Sequence, residues 1–140
     1  MKPLRLLIVF LLLANCLFAQ DTLRNICADN TVEGINTSID FYKKRLEHNA
    51  DDQRALYCLG MSYYSLVQLK TAIEYYDKLI CLNPKYSGAL SNRGICKYFL
   101  KDTAGACQDF EQSIKVGQNP KVMDGKKLSA FVKKECRNTN

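Results

Sequence analysis

The stretch ALYCLGMSYYSLVQLKTAIEYYDKLICLNP, residues 55–84, decides how this chain folds, because it returns one period later as ALSNRGICKYFLKDTAGACQDFEQSIKVGQ, residues 89–118. At an offset of 34, Ala55 falls on Ala89, Leu56 on Leu90, Gly60 on Gly94 and Tyr64 on Tyr98. The same shift carries Leu66 to Leu100, Ala72 to Ala106, Tyr76 to Phe110 and Ile80 to Ile114. A period of this length marks stacked helical hairpins, none of which can bury its apolar face alone. Such arrays recognise partners far more often than they catalyse reactions.

Outward from the repeat, the pattern stays helical. Ile35, Ile39, Tyr42 and Leu46 recur at spacings of four, three and four, which predicts a helix from about residue 33. Residues 49–52 break it, and Asp51 or Asp52 is placed to cap the next helix. The first hairpin is expected over residues 52–66 and 69–81, closed by Asn83-Pro84 because proline disfavours helical geometry in the residue before it. The second is expected over 85–100 and 102–116, with Asp102 as N-cap and Gly117 as a left-handed C-terminal residue. A last helix over 124–136 carries Leu128, Phe131 and Val132 on one stripe and reads as a cap on the array. The fold class is all-α, a short α-solenoid of antiparallel hairpins.

Glycine is costly inside a helix, so Gly60 and Gly94 mark places where a neighbouring helix comes too close for a side chain. Ala72 and Ala106 offer the same relief from the facing helix, and Tyr63, Tyr76 and Phe110 fill the grooves between helices.

The chain opens MKPLRLLIVFLLLANCLFAQ: basic Lys2 and Arg5, an unbroken apolar run over residues 6–13, then small Ala14 and Ala19. This is the pattern of a secretory signal over residues 1–19, cut after Ala19 to leave Gln20 or Asp21 first. A rival reading lipidates Cys16 in the run Leu13-Ala14-Asn15-Cys16, but Asn15 fits such a box poorly and apolar residues continue through Leu17 and Phe18. No second apolar stretch approaches the length of a bilayer span, so the mature chain has no expected transmembrane segment.

Removing Lys2 and Arg5 lowers the formal charge from +6 to +4. Much of the excess lies at Lys121, Lys126, Lys127, Lys133, Lys134 and Arg137, a solvated helix face without the interleaved aromatics of a single-strand nucleic-acid binder. No nucleic-acid partner is expected.

Of seven cysteines, six remain after Cys16 leaves with the signal, an even count that permits disulfides in an exported chain. Folding the last two helices antiparallel about a turn near residues 120–124 places Cys107 and Cys136 at similar distances from it, so these two are expected to pair. Cys58 and Cys96 read as small buried hydrophobes, and Cys27 and Cys81 stay unassigned. No C-x-x-C pair exists and His48 is the only histidine, so neither a metal site nor a cofactor is expected. The sequence has no G-x-S-x-G, no H-E-x-x-H and no phosphate-binding glycine loop, Gly125-Lys126 lacking the preceding glycine. His48 at a helix end reads as a surface residue, Asp51-Asp52 as a cap pair, and the chain as a non-enzyme.

These units resemble the tetratricopeptide repeat family. The first supplies Leu56 for the usual tryptophan, then Leu59-Gly60, Tyr63, Ala72, Tyr76 and Pro84. The second keeps Leu90, Gly94, Ala106, Phe110 and small Ser113, but has Arg93 for leucine and Lys97 for tyrosine, with its proline displaced to Pro120. Tyr98, one place on, is expected to take over part of the missing tyrosine's packing. Ser38 and Tyr42 fall one period before Ala72 and Tyr76, so the helix near 33–48 is the second half of a degenerate first repeat. The resemblance implies about two and a half repeats over residues 33–120, an irregular segment over 20–32, and a capping helix and tail over 121–140.

It also implies a concave face lined by Arg54, Tyr57, Met61 and Tyr64, then Ser91, Asn92, Ile95 and Tyr98. Two readings of that face stand side by side. It holds a partner's extended peptide or helix, with Tyr57, Tyr64 and Tyr98 as anchors, or its side chains pack against the first unit. The carboxylate clamp of some family members is not expected, since Tyr57 and Met61 stand where its polar residues belong. The function implied is a protein-binding module exported to the periplasm or cell envelope. The alternative is an assembly piece that stacks on copies of itself or on another helical array.

Overall fold

The computed structural model describes residues 31–117 and 125–136, and every element among them is helical. The expected signal segment, Cys16, Cys27 and Pro120 lie outside the described residues. Six helices follow one another, each packed mainly against its neighbours in sequence.

Helix α1 spans Val32–His48 and starts where the Thr31 hydroxyl accepts from the Gly34 amide at 3.0 Å. Its stripe of Ile35, Ser38, Ile39 and Tyr42 is buried. Helix α2, Gln53–Ser65, is capped by Asp52, whose Oδ1 accepts from the Ala55 amide at 3.0 Å. The Asp52 carboxylate also accepts from Arg45 Nε at 2.8 Å, so the cap ties α2 back to the end of α1. Burial by itself would raise the Asp52 carboxyl. The Ala55 amide and the Arg45 guanidinium outweigh it and hold the group below its ordinary value.

Helix α3 spans Leu69–Leu82, α4 Ala89–Phe99 and α5 Thr103–Lys115. The turns α2–α3 and α4–α5 repeat each other. Val67 and Lys101, 34 residues apart, both take the left-handed conformation, at φ 59° and 68°. Asp102 caps α5 by accepting from the Gly105 amide at 2.9 Å. The equivalent Gln68 makes no side-chain cap bond to α3.

The period also recurs in the packing. A Cβ on Gly60 would lie 2.6 Å from the Tyr76 ring, and one on Gly94 would lie 2.7 Å from the Phe110 ring. In both hairpins a ring from the second helix therefore presses on the backbone of the first, at positions where only glycine leaves room. Ala72 and Ala106, on the helices that carry those rings, are fully buried.

Two boundaries differ from expectation. Helix α4 begins at Ala89 rather than near residue 85, because Pro84 and a left-handed Gly88 at φ 85° hold the intervening residues in successive turns. Asn83 braces them, its Oδ1 accepting from the Lys85 amide at 3.1 Å and its Nδ2 donating to Gln53 Oε1 at 2.9 Å. The last helix is not continuous over 124–136. Helix α6, Gly125–Phe131, gives way to a π-helical turn over Val132–Cys136. That wider turn ends with Cys136 buried and bonded to Cys107 on α5, at a Cα–Cα distance of 5.6 Å. Leu128 beneath it is buried with Ile95, Ala106 and Phe110.

Candidate functional site

Of the eight side chains expected on the α2–α4 face, the structure buries four, half-buries two and leaves two exposed. Tyr57, Ser91, Asn92 and Ile95 are buried. Tyr57 packs its ring against Tyr76 and Tyr86, with centroids at 6.2 and 5.2 Å. Its hydroxyl accepts from Asn92 Nδ2 at 3.2 Å, and the same amide reaches Met61 Sδ at 3.3 Å. Ser91 donates to the Gly88 carbonyl at 3.1 Å, and Ile95 belongs to the cluster under the cap. As an anchor for a partner, Tyr57 is spent on packing. Met61 and Tyr64 remain half-buried, and Arg54 and Tyr98 exposed.

Between α2, α3 and α4 the Tyr76 hydroxyl and the Asn92 carbonyl oxygen are buried with no hydrogen-bond partner among the described residues. Burial drives the Tyr76 phenol well above its ordinary pKa, so it stays neutral. The Cys96 thiol, also buried, is pushed up to about 12 and is no nucleophile. Cys58 is buried and Cys81 exposed.

The second hairpin carries a charged network that no single-helix pattern reveals. Arg93 donates to both oxygens of Asp109, from Nε at 2.8 Å and from Nη2, and also to Asp77 on α3 through Nη1. Lys97 Nζ lies 2.9 Å from Asp109 Oδ2. The Asp109 carboxylate, 5% exposed, thus sits between two cations, as a buried charge requires. Its hydrogen bond, together with that of Asp77, raises the Arg93 guanidinium pKa further, against burial. Tyr98 does not take over for the tyrosine missing at Lys97. It packs edge-on against Phe131 instead, and the Lys97 side chain occupies that place as an ion.

Among the described residues, no group of three His, Cys, Asp or Glu side chains is placed to hold a metal ion. His48 is exposed at the end of α1, and Asp51 beside it is exposed while Asp52 does the capping. No described helix is long and apolar enough to cross a membrane. The Cys107–Cys136 bridge is of a kind that forms and persists in oxidising compartments. Neither a scan against protein-family models nor a search of curated proteins found a match.

Proposed function

We propose that the chain is a non-enzymatic protein-interaction module of the tetratricopeptide kind, exported through its N-terminal signal to the periplasm or cell envelope. The observation that carries this is the recurrence, at an offset of 34, of a glycine pressed by an aromatic ring: Gly60 under Tyr76 and Gly94 under Phe110. The matching left-handed turns at Val67 and Lys101 support it, since a one-dimensional array repeats its turns together with its contacts. The disulfide supports the export half of the reading.

Crosslinking in the native cell followed by mass spectrometry tests the role. Reproducible links from α2 or α4 to one other protein are expected. Links only between copies of this chain would favour the assembly reading, and a concentration-dependent oligomer on sedimentation would agree with it. Absence of any intermolecular link would overturn both. The mature N-terminus, read by intact mass, is expected at Gln20 or Asp21, and a lipid mass on Cys16 would displace that expectation.

A further inference from the structure

Among the described residues, three exposed large hydrophobics follow one another in sequence. Tyr98, Phe99 and Leu100 are consecutive and are 38%, 58% and 40% exposed, at the C-terminal end of α4. Phe99 lies against Tyr64 of α2 at 6.4 Å, and Tyr98 meets Phe131 of α6 edge-on at 5.1 Å. Three helices therefore contribute rings to one ridge. Its inner members, Tyr64 and Phe131, are half-buried and rest on the cluster of Ile95, Phe110 and Leu128. Contiguous exposed apolar side chains are a common mark of interaction sites. Rigid, braced aromatic side chains are the anchors that interfaces favour.

Two exposed lysines stand beside the ridge. Lys101 follows Leu100 and is exposed, and Lys127, also exposed, sits one helical turn before Phe131. Neither makes an ion pair among the described residues. Three acids of α5 and the final turn have partners of their own, although Asp102 keeps its charge beside Lys101. Asp102 caps α5, Glu135 lies 3.1 Å from Lys134, and Asp109 is buried between Arg93 and Lys97.

We propose that this ridge docks a segment of another protein in which a leucine or aromatic side chain is flanked by acidic residues. The apolar side chain packs on Phe99 and Tyr98, and the flanking carboxylates meet Lys101 and Lys127. The proposal rests on the interaction-module reading and names the partner chemistry. It keeps Tyr64 and Tyr98 of the α2–α4 face and shifts the docking point away from buried Tyr57, toward the ends of α2, α4 and α6. A second copy of the chain would bring the same lysines and be repelled. Exposed aromatics beside lysines also suit an anionic lipid surface, which vesicle sedimentation tests, but rings braced edge-on against each other are the anchors a protein segment favours.

The test is site-specific photo-crosslinking in the producing cell, with benzoylphenylalanine at Phe99 and, as controls, at exposed Arg54 and Gln112. The expected result is a segment of net negative charge captured at Phe99 and not at the controls. A synthetic peptide of that segment should bind the purified full chain and lose about tenfold affinity on Phe99→Ala, equivalent to about 1.4 kcal/mol. Lys101→Glu with Lys127→Glu should weaken it at least as much, with the circular dichroism of all variants unchanged. A captured segment that is basic or neutral overturns the proposal, and so does a peptide indifferent to Phe99→Ala. Phe99-dependent sedimentation with vesicles of phosphatidylglycerol and phosphatidylethanolamine also overturns it, in favour of a lipid surface. Capture of a partner at Arg54 alone sinks the ridge and leaves the interaction module standing, whereas capture at no position sinks both.

Discussion

Between α1, α2 and α3, the Tyr63 and Tyr75 rings stack at 5.5 Å and 5° interplanar angle, with Lys43 over one face at 5.8 Å and Lys78 over the other ring at 5.6 Å. One period later, between α3, α4 and α5, the equivalents of Tyr63, Tyr75 and Lys43 are Lys97, Asp109 and Asp77, and Arg93 replaces Leu59. The same place in the fold is thus filled once with stacked rings and once with ions. Four positions changed together, and in each layer they satisfy one another. The stack gains from ring burial plus roughly 0.5–1.5 kcal/mol of ring geometry. The ionic layer balances desolvation against charge pairing, and its contribution to stability is often no better than that of an apolar substitute. What it adds is intolerance of partial change.

That contrast can be broken deliberately. Asp109→Ala should cost the most, toward the roughly 3–5 kcal/mol seen when one partner of a buried ion pair is removed, lessened because Arg93 stays partly solvated. Urea unfolding would measure it. An effect under about 1 kcal/mol would mean that the layer is as soft as a surface ion pair. Transplanting the first layer's residues onto the second, with Arg93→Leu, Lys97→Tyr and Asp109→Tyr together, should be neutral or stabilising by up to about 4 kcal/mol. Each of the three changes made alone should destabilise. If the triple variant is as damaged as the worst single one, the two layers are not interchangeable.

Gly60→Ala and Gly94→Ala probe what the two hairpins share. Each forces a methyl into a ring, at a cost of about 1–3 kcal/mol. Gly94→Ala is expected to be the worse of the two, since the backbone carbonyl of Ala106 lies only 3.2 Å from the added carbon and a backbone cannot swing aside. Equal thermal shifts would contradict that ranking.

The smallest effect is at the Asp52 cap. Because its folded pKa is lowered, its contribution is complete above the ordinary aspartate value near 4 and is lost as pH falls through the folded value. Asp52→Asn keeps a good cap but loses the Arg45 ion pair, so its stability should fall less steeply on acidification than that of the native chain. Parallel acid profiles would rule this out.

Much of this fold could be read from single positions. Gly60 and Gly94 announce close approaches, Asp52 and Asp102 announce caps, and the spacing of Cys107 and Cys136 about the last turn announces a bridge. The ionic layer escaped because Arg93 and Lys97, viewed on α4 alone, are departures from a repeat. Their compensating partners Asp77 and Asp109 lie on other helices, and only the fold brings them together. Of the expected α2–α4 face, Asn92 does meet Tyr57 and Met61 across the two helices. Which of them packing consumes depended on Tyr76, Tyr86 and Met61 closing over Tyr57 and Asn92, and helix periodicity contains no such information. The ridge has a different signal, three consecutive large apolar residues at 98–100, where the amphipathic pattern of α4 ends.

The bridge between Cys107 and Cys136 also has a mechanical meaning. If the chain is pulled from its two ends, tension crosses that bond and bypasses the residues between, which span a separation of 29. Roughly 100 Å of chain, at about 3.6 Å per residue, would then never be paid out under load. Stretching under reducing conditions should recover that length, so the last helix pair of this protein is a segment that force cannot unravel while the bond lasts.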